Sequence, residues 1–90
     1  MKPFNVFGKT IVVEVVSELD NAGEFCAEKS LIKVLREKNK DEQMLHLLHE
    51  FVHAVCHRTG LTQAIPSELE EVVCEVMSHA FYENFKMTRK

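Results

Sequence analysis

Apolar and polar positions divide the chain into two regimes. Up to Leu35, β-branched and aromatic residues fall in short, partly alternating runs, FNVF, KTIVVEVVSEL and EFCAEKSLIKVL, a pattern that suits half-buried pleated strands. Gly8 parts the first two runs, and DNAG at residues 20–23 holds residue types that tolerate positive φ. The pattern predicts a short strand, a glycine turn, a longer strand and a further strand-like stretch, making a small, largely antiparallel sheet of two to four short strands before residue 36. REKNKDEQ then breaks the pattern with charge, and the period becomes helical. Asn39 or Asp41 can cap a helix over about residues 41–58, which Arg58 and a left-handed Gly60 would end, with Leu61 folding back. TQAIP reads as a connection. Ser67 opens a second helix, SELEEVVCEVMSHAFYENF, whose apolar arc is Leu69, Val72, Val73, Val76, Met77 and Ala80. The fold class expected is α+β, a single domain over residues 1–90 with the sheet first and two helices after it.

Ninety residues support one small core. With 46% hydrophobic and 28% charged residues, three glycines and two prolines, the chain has the composition of an ordered globule. A net charge of −3, with KMTRK at the C-terminus as the one basic cluster, gives no reason to expect nucleic acid or an anionic membrane as a partner. No apolar run approaches the roughly 20 residues of a membrane span, and MKPFNVFGKT lacks the apolar stretch of a secretion signal. A cytoplasmic location is expected. Cys26, Cys56 and Cys74 are odd in number and widely spaced, which reads as reduced, mostly buried thiols. For so small a core, a bound metal would be a useful source of folding free energy.

LLHEFVHAV, residues 47–55, supplies the candidate chemistry. At about 100° per residue, Leu45, Leu48, Val52, Val55 and Cys56 form one apolar arc, with His49 at its edge and His53 roughly 40° further round. Side chains at i and i+4 are neighbours on a helix, so two imidazoles can converge on one ion. Glu50 points past them, where it can reach a water held by that ion. The competing reading is a polar histidine rim, since His46 and His57 continue the stripe.

LLHEFVHAVCHRTGL, followed by LEEVVCEVM on the second helix, resembles the small gluzincin-type zinc metallopeptidases, in particular compact ImmA/IrrE-like and related phage-encoded proteins. The likeness in layout runs from about residue 4 to 85, and its specific residues lie within 45–77. The resemblance implies zinc, with His49 and His53 as ligands, Glu50 as general base and a glutamate of LEEVV as third ligand. Helical phase favours Glu70, which faces the core side, over Glu71, which points towards solvent. Two considerations weigh against Glu70: SELE is also a capping-box pattern, and Glu71 with Glu75 matches the habit of a second acid four residues after the ligand. His57 is a poor ligand, because three on successive turns of one helix diverge. His46 and His79 read as exposed or hydrogen-bonded, and Cys56 and Cys74 as core.

The activity implied is hydrolysis of peptide bonds in a peptide or protein substrate, an extended chain lying along SLIKVL as edge strand. So short a chain leaves no material for deep specificity pockets, and only the distant Tyr82 and His79 are available to stabilise an oxyanion. The rival is a non-catalytic, zinc-stabilised module that binds a protein partner. A third reading is an interaction protein with no metal.

Overall fold

The computed structural model describes residues 1–85, and the terminal KMTRK cluster lies outside them. β1 (Phe4–Val6) and β2 (Lys9–Val16) pair antiparallel across Phe7 and Gly8, whose φ values are 49° and 80°. Two successive positive φ angles are the mark of a type I′ turn, whose twist matches that of the strands it joins. Gly8 takes its conformation without a Cβ clash.

EFCAEKSLIKVL is two strands, not one. A turn over residues 27–30, with Ser30 at φ 49°, splits it into β3 (Gly23–Cys26) and β4 (Leu31–Leu35), an antiparallel hairpin. β4 inserts between β3 and β2 and runs parallel to β2, from Val12↔Leu31 to Val16↔Leu35. The sheet order is β1-β2-β4-β3. The sheet is therefore mixed, with two antiparallel pairings and one parallel, and SLIKVL is an interior strand where an edge strand was expected. The physical reason lies in β4, whose Ile32 and Val34 are wholly buried and whose backbone is bonded on both edges. DNAG closes no hairpin: it carries the chain past the place β4 will take, and none of residues 20–23 has a positive φ.

The helices begin and end on local signals. Asn39 accepts hydrogen bonds from the Asp41 and Glu42 amides at 3.0 and 3.2 Å, opening α1 (Lys40–Thr59). Gly60, at φ 83°, ends it in the left-handed conformation. Part of the expected connection is one further helical turn, α2 (Leu61–Ala64), before α3 (Ser67–Asn84). The class is α+β, a four-stranded mixed sheet followed by helices.

α1 is buried on two sides. Leu47 and Ala54 face Phe4, Val6, Ile11, Val13, Ile32 and Val34 of the sheet, and the Phe4 and Phe51 rings stack at 4.4 Å. Val52 and Cys56 face Cys74 of α3. Here the structure departs from the apolar periodicity of the second helix. Glu70, Cys74 and Ser78 are the buried stripe of α3, while Leu69, Val72 and Val76 are 47%, 56% and 59% exposed. The cause is the surface that α1 has left to offer, a narrow flank carrying His49, Val52, His53 and Cys56, which admits small side chains and one carboxylate in place of a broad aliphatic face. Among the described residues, no helix is long and apolar enough to cross a membrane.

Leu47→Ala should therefore cost about 2–5 kcal/mol in denaturant unfolding, as a fully buried truncation does. Leu69→Ser and Val76→Ser should each change stability by less than about 0.5 kcal/mol. The opposite ranking would restore the face that periodicity selects.

Candidate metal centre

α1 and α3 pack so that the two histidines of α1 meet three glutamates of α3. His53 donates its Nδ1–H to Glu70 Oε2 at 2.6 Å, and His49 donates its Nδ1–H to Glu75 Oε1 at 3.0 Å. An ionised carboxylate can only accept, so each contact puts a proton on Nδ1, and in the neutral imidazole the lone pair is then on Nε2. The two Nε2 atoms lie 3.2 Å apart. Glu71 spans them, with Oε2 3.2 Å from His49 Nε2 and Oε1 2.9 Å from His53 Nε2. Three acceptors thus face one point between the helices. Lone pairs at such distances repel unless a cation or an added proton lies among them.

The glutamates divide by nitrogen, not by burial. Glu70 is buried and core-facing, as helical phase predicts, but its carboxylate stands on His53 Nδ1, away from the shared point. Glu71, with a side chain 62% exposed, reaches that point. The site lies at the rim of the helix pair, where an exposed carboxylate reaches the histidine nitrogens as readily as a buried one. The capping box does not form either. Ser67 makes no side-chain cap, and the Glu70 amide bonds to the Pro66 carbonyl. Burial alone would raise the Glu70 carboxyl, but hydrogen bonds from His53 and Thr62 and the nearby His53 and His57 charges hold it below the ordinary carboxylate range.

Glu50 sits on the cleft side of the same turn. Burial pushes its carboxyl above the ordinary range, against the pull of His53 and His49. The cleft, about 570 Å³, has Glu50, His49, His53, Glu70 and Glu71 on one wall and Gly23, Phe25 and Ala27 on the other. His57 lines it without joining the convergence and packs edge-on against Phe25, ring centroids 5.8 Å apart. His46 bonds to Glu37 at 2.6 Å, and His79, half exposed, lies 3.9 Å from Glu75. Tyr82 lies near Asp41, in the first turn of α1, whose carboxylate pushes the tyrosine hydroxyl above its ordinary range, and does not line the cleft.

Behind the histidines lies Cys74. Its thiol is wholly buried and pushed up to about 12 by desolvation, with Cys56 and the surrounding carboxylates adding to the effect. It has a donor atom within 4.8 Å of both histidines, and forms a second such group with Cys56 and Glu70. Periodicity and motif spacing brought out the α1 residues. They gave no sign of Gly23, Phe25 or Thr62, which reach the cleft only through the strand order and the extra turn α2. No protein-family model, curated protein or solved structure matches the chain.

A carboxyl whose folded value is raised stabilises the fold at low pH and loses that contribution as pH rises through the folded value. Metal-free Glu50→Gln should accordingly melt above the metal-free wild type at pH 7. The gap should narrow as pH falls towards the ordinary value of 4.5. Calorimetry across pH checks this, and a constant gap would count against a half-buried, ionised Glu50.

Proposed function

We propose that the chain is a minimal gluzincin-type, zinc-dependent peptidase, in which His49, His53 and Glu71 hold the metal and Glu50 is the general base. The observation that carries this reading is the convergence of three acceptors, His49 Nε2, His53 Nε2 and the Glu71 carboxylate, within 3.2 Å of one another. Two imidazoles and a carboxylate are the donor set of catalytic zinc sites, which keep one position open. When bound, zinc supplies Lewis acidity and an activated water. Glu70 and Glu75 fix the tautomers: each binds an Nδ1–H, so both Nε2 lone pairs stay directed at the metal position. Glu50 takes a proton from the attacking water on its carboxylate and passes it to the leaving amine, a task favoured by the upward shift that burial gives its carboxyl.

The substrate lies along β3, in place of the interior SLIKVL. The Leu35 amide bonds to the Ala22 carbonyl. By the alternation of an antiparallel ladder, Gly23 and Phe25 then turn their own N–H and C=O to the open edge beside the cleft. An extended peptide can pair with both. Cys26, Cys56 and Cys74 are free thiols, which suits a reducing compartment, so we place the activity in the cytoplasm. The second reading, a zinc-stabilised module that binds a protein partner, draws on the exposed Leu69, Val72 and Val76 of α3.

The chain should take up about one zinc, and His49→Ala or His53→Ala should abolish binding. In titrations against a chromophoric chelator, Glu71→Gln should weaken zinc more than Glu70→Gln, whose loss of a supporting hydrogen bond is worth about 10- to 100-fold. The reverse order would move the ligand role to Glu70.

Glu50→Gln should retain zinc and fold while lowering hydrolysis of a mixed peptide library by about 10²- to 10⁴-fold. Zinc uptake with no cleavage by the wild type would favour the binding module.

A further inference from the structure

Gly23 opens β3 opposite Val34, with a φ that any residue can adopt. Backbone freedom does not explain a glycine there. Space does. A Cβ on Gly23 would lie 3.0 Å from Glu50 Cγ and 3.5 Å from Glu50 Oε2, with the Lys33 carbonyl oxygen at 3.4 Å on the other side. Ordinary carbon–carbon contacts begin at about 3.5 Å, so even one methyl group would overlap the Glu50 side chain. The Lys33 carbonyl belongs to the sheet backbone and cannot yield, which leaves Glu50 as the group that must move.

We propose that Gly23 is the positioning residue for Glu50: the side chain absent from the edge strand is the volume in which the base lies. This rests on the peptidase reading and adds a constraint to it. Glu50 rests on the strand residue whose outward N–H and C=O are free for an extended peptide, so one contact sets both the base and the substrate register. The base is held from one side by its own helix and from the other by the strand. A side chain at position 23 would leave zinc bound and the base displaced.

The test has two arms, each with its own failure. In the first, melting temperatures of the metal-free full-length chain are measured for wild type, Gly23→Ala, Glu50→Ala and the double variant. With Glu50 present, Gly23→Ala should lower the melting temperature. With Glu50→Ala it should be neutral or raise it, since alanine is the better strand residue where space allows. Equal shifts in both backgrounds would overturn the proposal. In the second arm, zinc affinity, kcat and KM are measured for the loaded Gly23→Ala chain. A misplaced base should lower kcat by roughly 10- to 100-fold, with zinc affinity and KM within about twofold. Unchanged kcat, or a loss confined to KM, would overturn the positioning role. If the wild type hydrolyses nothing, the peptidase reading fails by itself, and the melting cycle still decides whether Gly23 and Glu50 share this space.

Discussion

The contact between His49 and His53 on α1 and Glu70, Glu71 and Glu75 on α3 is the constraint around which the molecule is arranged. The apolar contact between these helices is centred on Val52, Cys56 and Cys74, with Phe51, Val73 and Phe81 packed against them. Five polar side chains lie along the same seam, and their directional hydrogen bonds constrain how α3 rotates and slides on α1 more narrowly than apolar packing alone does. Buried or half-buried polar groups favour a packing only when each finds its partner. Here every Nδ1 has one, and the Nε2 atoms and Glu71 are left facing each other. Under the proposed zinc reading, a cation at that point would draw the three acceptors together and so couple metal affinity to the fold.

That coupling explains which parts of the architecture were legible in the residues. His49, Glu50 and His53 share one helix, and helical geometry alone determines their relative directions, so their spacing could be read directly. Asn39 and Gly60 mark the ends of that helix for equally local reasons. Glu70 and Glu71 depend on how a second helix is rolled, and the apolar arc that periodicity selects for that helix includes Leu69, Val72 and Val76. Those residues are on the surface. The roll is decided by polar partners across the seam, which hydrophobic periodicity does not report.

The sheet was harder still, because strand order is a non-local property. The residues of β4 were recognisable as strand, but nothing in EFCAEKSLIKVL says that the chain doubles back at residues 27–30 and inserts its second half in the centre. That insertion is also what makes β3 an edge. Gly23, Phe25 and Ala27 then form the wall opposite the histidines, so half of the cleft had no signature until the topology was in hand.

The two walls differ in how firmly they are held. The histidine wall rides on α1, anchored by Leu47 and Ala54 against the sheet. The other wall is an edge strand bonded on one side only, and its position relative to Glu50 is set at Gly23. An edge strand can supply main-chain hydrogen bonds to an extended peptide. Such bonds recognise backbone in preference to side chain. Under the proposed peptidase reading, the pairing of this edge with the half-buried Glu50 carboxylate argues for broad acceptance of extended peptides, with Phe25 and His57, packed edge-on in the cleft, as the side chains most able to discriminate among them.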